Sequence, residues 1–136
     1  MNGKLNNGRP MISNASLVGK KVLVIEDEML ISMFIEDTLA DIGCETVGII
    51  ISLAEAMEKV SQYQCDVIML DVNLGGEQTF ELAELLCERK QPLIFCTGYG
   101  VAGVPIHLQH VPVLQKPFQE SDLSEKLQIA LSAIWP

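Results

Sequence analysis

"QCDVIMLDVNLGGE", residues 64–77, runs four apolar residues, Val67 to Leu70, straight into Asp71 and then into a polar loop with two glycines. A run this short and this apolar reads as a strand buried on both faces, the pattern of a parallel sheet covered on each side. Ending such a strand on a carboxylate is costly unless the acid is paired, so Asp71 either caps a helix at the surface or belongs to a charged site.

The same unit recurs on either side. "KVLVIEDE", residues 21–28, is a buried-strand pattern from Val22 to Ile25 ending in three acids, and Leu30, Ile31, Phe34, Ile35, Leu39 and Ile42 then recur at helical spacing until Gly43 closes the helix. "CETVGIII", residues 44–51, predicts a second strand, and the S-x-x-E spacing of Ser52 and Glu55 heads a second helix to about Gln62. Behind the quoted strand, Phe80, Leu82, Leu85 and Leu86 stripe a helix over Gln78–Arg89. "PLIFCT" (92–97) and "VPVLQ" (111–115) are the fourth and fifth strands, and Leu123, Leu127, Ala130, Leu131 and Ile134 give a last helix one apolar face. Between them, "GYGVAGVPIHLQH" (98–110) holds three glycines and a proline, so a fourth helix there is short or irregular. Five strands alternating with helices predict an α/β fold with a five-stranded parallel sheet, doubly wound by right-handed crossovers. In such folds the functional crevice lies at the carboxyl ends of the strands, which here deliver Glu26 and Asp27, Asp71, Thr97 and Lys116.

The 136 residues, 49% of them hydrophobic and 20% charged, suit one domain with one core. A net charge of -9 without a Lys/Arg cluster argues against direct nucleic-acid binding. No apolar stretch has the length of a membrane span and the N-terminus lacks a signal-peptide block, so a cytoplasmic protein is expected. Residues 1–19, rich in Asn and Gly without periodicity, are expected as a flexible tail, with the folded domain over 20–136. Cys44, Cys65, Cys87 and Cys96 are widely and irregularly spaced and read as reduced, buried thiols rather than disulfides or a zinc site. His107 and His110 could face one way on a helix, but with no third ligand nearby in the sequence they read as loop or surface histidines.

Three carboxylates gathered at one end of a sheet repel each other and call for a cation. Oxygen donors without Cys or His point to Mg²⁺. With Lys116 and the Thr97 hydroxyl added, the set suits a phosphoryl group, its oxygens neutralised by metal and lysine while the Asp71 carboxylate attacks to give an acyl phosphate. Each residue alone has a plainer explanation: an acid at a strand end is commonly a helix cap, and Lys-Pro before a helix is a common turn. The order and intervals of the whole set are what favour chemistry.

Through "VLVIEDE", "VIMLDVNL", "IFCTGYG" and "LQKPF", the chain from about Lys20 to Trp135 resembles the CheY-like receiver domain of two-component response regulators, which have a flavodoxin-like (βα)5 fold. The resemblance implies that Asp71 is the phosphoacceptor, Glu26 and Asp27 the Mg²⁺-binding acid pair with Asp27 the direct ligand, and Asn73 a metal ligand through its backbone carbonyl. It casts Thr97 as the switch hydroxyl and Lys116 as the phosphate-pairing lysine. Three departures stand out: Val113 occupies the place of an aromatic switch residue, Gly75 replaces a proline and is expected to loosen its loop, and only 19 positions separate Thr97 from Lys116. "LIFCTGYG" with "DVNLGGE" is similar to the stand-alone FAT GUY receivers found with HWE-type histidine kinases. That likeness implies a switch region of Phe95, Cys96, Gly98, Tyr99 and Val113, and phosphorylation is expected to reorder Gly98–Val104, measurable by amide exchange.

The implied partners are a histidine kinase or phosphotransfer protein as donor and a downstream protein contacted near Val101–Val113 and the last helix, in a monomer or weak homodimer. With the last helix ending near Pro136 no output domain is expected, so signalling passes through protein contact or through draining phosphoryl groups from a shared kinase, self-catalysed transfer and hydrolysis being the only chemistry. The alternatives are a phosphorylation-independent binding module and a Mg²⁺-dependent phosphatase. The phosphatase wants D-x-D after its first strand, where this chain has "EDE".

Overall fold

The structure, a computed structural model of the chain, describes residues 5–6, 9–10, 14–98, 103–133 and 135. Five strands, β1 (Lys21–Ile25), β2 (Glu45–Ile50), β3 (Val67–Asp71), β4 (Leu93–Thr97) and β5 (Val113–Gln115), form one parallel sheet in the order β2-β1-β3-β4-β5. The order reverses between β1 and β3, which is the switch point expected of a doubly wound sheet. Every residue of β3 and β4 is buried, as their unbroken apolar runs predict, while the half-exposed edge strand β2 carries a register shift that leaves Val47 unpaired between Thr46 and Gly48.

Among the described residues four α-helices cover the sheet: α1 (Met29–Ile42), α2 (Leu53–Lys59), α3 (Phe80–Glu88) and α4 (Glu120–Ser132). Gly43 ends α1 at φ 104°, its amide reaching the Leu39 and Ala40 carbonyls, a conformation that a side chain would strain. Ser52 caps α2 by accepting the Glu55 amide at 3.2 Å, and a 3₁₀ turn over Val60–Gln62 completes the expected span. At α4 the Asp122 carboxylate accepts the Gln119 amide at 2.9 Å. Between β4 and β5 the described residues hold a 3₁₀ turn at Ile106–Leu108 and no α-helix, in keeping with the glycine-rich segment. No helix among the described residues is long and apolar enough to cross a membrane.

Three local readings change. The helix expected from Gln78 begins at Phe80, because Glu77 and Gln78 pair with Asn73 and Leu74 in a small antiparallel hairpin. Gly75 and Gly76 form its turn at φ 59° and 86°, the positive angles a two-residue hairpin favours, so the missing proline gives a tight turn and not a loosened loop. Packing also starts inside the stretch expected as a tail: a 3₁₀ turn over Asn14–Leu17 brings Leu17 into the core, where its carbonyl accepts from the Cys44 thiol and from Lys20 N. Burying that leucine contributes about 1.5–3 kcal/mol toward holding the segment against the domain. Further toward the N-terminus, Leu5–Asn6 pairs antiparallel with Arg9–Pro10.

Candidate functional site

The parallel register aligns the carboxyl ends of β1, β3 and β4, pairing Ile25 with Leu70 and Asp71 with Cys96, so the residues that follow are delivered to one place. Glu26, Asp27 and Asp71 present carboxylate oxygens that all lie within 4.8 Å of one another. Glu26 and Asp71 are buried and Asp27 is exposed, so the cluster has a dry side and a wet side.

Lys116, just past β5, answers the buried charge. Its Nζ donates to Glu26 Oε1 at 2.5 Å and to Asp71 Oδ2 at 3.1 Å. The Lys116–Pro117 peptide is cis. Burial pushes the Glu26 carboxyl up to about 7, with Asp71 adding to the rise and the Lys116 and Glu28 hydrogen bonds opposing it. Burial pulls the Lys116 ammonium down, but Glu26 and Asp71 outweigh it and hold the group above its ordinary value.

Backbone amides hold further oxygens around the cluster. Asn73 N donates to Asp71 Oδ1 at 3.1 Å, Gly75 N to Asp27 Oδ2 at 3.1 Å, and Gly76 N to the Asn73 side chain at 3.0 Å. Asp27 therefore contacts the hairpin that follows Asp71, a link across 48 positions. Thr79, fully buried, donates to the Asp71 carbonyl at 2.6 Å and fixes the end of β3 from behind. Neither contact has a local signature: a threonine next to a helix start reads as a cap, and here its hydroxyl serves the strand instead.

Thr97 is buried at the end of β4, and its carbonyl accepts Lys116 N at 2.9 Å, tying the two strand ends together. Phe95 and Cys96 lie inside the core, Phe95 with its ring 5.9 Å from Phe80 and nearly perpendicular to it. Val113 is half-buried and pairs with Phe95, and Gly98 is exposed. Tyr99, with most of the Gly98–Val104 segment expected to respond to phosphorylation, lies outside the described residues, as does part of the Val101–Val113 contact face.

A surface that the sequence reading passed over stands beside the acids. Met29, Leu30, Met33 and Phe34, on the first turns of α1, are all exposed, Leu30 at 81%, and the Phe34 ring lies 5.4 Å from that of Phe118 just beyond Lys116. Leu30 and Phe34 share the apolar helical spacing of Ile35, Leu39 and Ile42, yet only those three are buried. The histidines are exposed surface residues, as expected, and each meets a metal-ligating residue type that is distant in sequence: His107 Nε2 lies 2.7 Å from Glu84 Oε1 and His110 Nε2 lies 3.8 Å from the Cys87 sulfur. All four cysteines are free, Cys44 and Cys96 buried and Cys65 and Cys87 half-buried.

Residues 22–128 match the response regulator receiver domain. The chain belongs to that family. A solution structure of SdrG from Sphingomonas melonis Fr1 is 37% identical, covers 83% of this chain and 97% of its own, and superposes with a TM-score of 0.73; SdrG in a BeF3-activated conformation gives 36% identity and a TM-score of 0.71. The receiver domain of the PhyR response regulator of Erythrobacter litoralis is 30% identical over 85% of this chain and 92% of its own, with a TM-score of 0.69. The transcriptional regulatory protein PdtaR of Mycobacterium tuberculosis is 28% identical over 90% of this chain and 62% of its own length. This receiver spans about half to three-fifths of the curated relatives it matches first. Receivers are generally phosphoacceptors of signalling systems that hold Mg²⁺ in an acidic pocket, and the donor set of Glu26, Asp27 and Asp71, all carboxylate oxygen, fits that ion.

Proposed function

We propose that this receiver accepts a phosphoryl group on Asp71 from a phosphohistidine carried by a histidine kinase, of the HWE type or otherwise, or by a phosphotransfer protein, in the cytoplasm. The observation that carries the reading is the joint placement of Asp71 against Lys116 and inside the Glu26–Asp27 cluster. The BeF3-activated form of SdrG supports it, since BeF3 bound to a carboxylate imitates an acyl phosphate.

In the step proposed, an Asp71 oxygen attacks phosphorus, a P–O bond forms as the donor's P–N bond breaks, and the departing imidazole nitrogen keeps the electron pair and takes up a proton. Asn73 N holds one Asp71 oxygen, which orients the carboxylate. Lys116, already bonded to Asp71, follows the charge onto the incoming phosphoryl oxygens. Glu26, Asp27, Asp71 and the Asn73 carbonyl would hold Mg²⁺, which supplies Lewis-acid neutralisation of the phosphoryl oxygens when bound. The Thr97 hydroxyl is the donor that turns to the new phosphoryl group, and the glycines after it allow that rearrangement.

The exposed apolar turns of α1, which begin two residues after Asp27 and are flanked by Phe118, are the face offered to the phosphodonor. Output passes to a second protein by contact, or the receiver drains a shared kinase.

The test is intact mass after incubation with acetyl phosphate and Mg²⁺. A gain of about 80 Da that requires metal, and that disappears with chelator and in Asp71→Asn, is expected. No gain, even with a competent kinase present, replaces this reading with that of a phosphorylation-independent binding module.

A further inference from the structure

A groove of 390 Å³ lies between α3 and the 3₁₀ turn, lined by Glu84, Cys87, Glu88, His107, Leu108 and His110. None of these takes part in the acid cluster. Glu84, Cys87 and Glu88 share one face of α3 through their i,i+3 and i,i+4 spacing. On the other wall, the bonds from Leu108 N to the Pro105 carbonyl, from Gln109 N to Ile106 and from Val111 N to Leu108 keep three residues per turn, which sets His107 and His110 on one side.

The donors meet in two pairs, His107 Nε2 with Glu84 Oε1 at 2.7 Å and His110 Nε2 with Cys87 Sγ at 3.8 Å. The second pair is the anchored one: the His110 ring packs edge-on against the buried Trp135 with centroids 5.7 Å apart, and the Trp135 indole is fixed by its bond to the Ala130 carbonyl. The first pair is solvent-exposed, its side chains 60% and 47% exposed, and as an ion pair in water it contributes little. Among the described residues only the acid cluster already brings three donor atoms within 4.8 Å, so an ion in this groove must draw the exposed pair onto the anchored one. One sulfur, two imidazole nitrogens and a carboxylate form a borderline-soft set of the kind that selects zinc-class ions and not Mg²⁺. Burial and the nearby Glu84 keep Cys87 protonated until a cation takes the proton's place.

We propose that this groove binds one zinc-class divalent cation through Cys87, His110, His107 and Glu84. As the sulfur–metal bond forms, the Cys87 thiol proton passes to solvent, and neither sulfur nor metal changes oxidation state. Bound there, the ion clasps α3 to the connection between β4 and β5.

The test titrates tag-free, reduced full-length chain with Co²⁺ in excess Mg²⁺, which occupies the acid cluster, and reads the near-ultraviolet thiolate-to-cobalt absorption and its bleaching by Zn²⁺. One equivalent giving that band is expected, with the band lost in Cys87→Ser, affinity at least about ten-fold weaker in His110→Ala, and no change in Asp71→Asn. Should Cys87→Ser fail to fold, His107→Gln on the exposed turn serves in its place, with the same weakening expected. No band in the wild type, a band that survives Cys87→Ser, affinity unchanged in His107→Gln, or a band lost in Asp71→Asn overturns the proposal.

Discussion

The Gly75 amide donates to Asp27 Oδ2 over 3.1 Å, so the turn behind the strand of Asp71 steadies an acid delivered by a different strand. Restoring the proline that receivers usually carry at this position is therefore expected to harm the protein. Gly75→Pro removes the N–H and imposes φ near -65° where the chain holds 59°. A loss above about 1 kcal/mol is expected, with weaker Mg²⁺ binding, read by urea unfolding and metal titration. A variant at least as stable as the wild type that binds Mg²⁺ equally well contradicts this account of the turn.

Lys116 stands as counterion to two buried carboxylates. Lys116→Met should destabilise the metal-free protein by about 2 kcal/mol, less than the 3–5 kcal/mol of a wholly buried pair because the lysine side chain keeps some exposure. Added Mg²⁺ should recover part of that loss, since it neutralises the same oxygens. Equal losses with and without Mg²⁺ show that the lysine acts through packing of its stem.

The cysteines should be slow nucleophiles. Burial first, then the charge of Asp66, pushes the Cys65 thiol up to about 11, and burial drives Cys96 to about 12. The thiol is the form these sites favour, so at pH 8 the Cys65 thiolate fraction is about a hundred-fold below that of a thiol at the ordinary value of 9.0 and rises only as pH approaches 11. Alkylation by iodoacetamide, followed by peptide mass spectrometry across pH 7 to 11, checks this. Cys65 modification at the rate of free cysteine at pH 8 rules it out.

Leu30 is 81% exposed, so Leu30→Glu should change stability by less than about 0.5 kcal/mol. A charge on the donor face is expected to slow transfer from a kinase at least several-fold while leaving labelling by acetyl phosphate alone, because a small donor needs no docking surface. The ratio of the two rates in one preparation is the measurement, and an unchanged ratio removes α1 from the contact.

The sheet and the acid cluster were legible because each rests on a local pattern: apolar runs such as Val67–Leu70 mark buried strands, and polar residues at their ends mark the crevice. Sequence patterning could not reach contacts made across the fold. Nothing near Asp27 announces Gly75, nothing near Thr79 says that its hydroxyl holds the Asp71 carbonyl, and the partners of His107 and His110 lie on α3, 23 positions away. Leu17 was misplaced because one buried leucine in a polar stretch has no periodicity to show. The exposure of Leu30 and Phe34 was not legible because a helix with apolar residues around more than one face does not say which face meets the core.

The two sheet edges left unpaired among the described residues bear on how the protein behaves when crowded. An unpaired strand edge invites a neighbouring chain to add itself, the first step toward aggregation. At one edge β5 offers three residues, too few to template a ladder; at the other, β2 is six residues long but broken at Val47 by its register shift. A bulge bends and twists the strand that carries it, so an incoming chain finds no flat row of donors and acceptors there. That irregularity protects against self-association, and a deletion of Val47 that straightened β2 would expose a continuous edge and lower solubility.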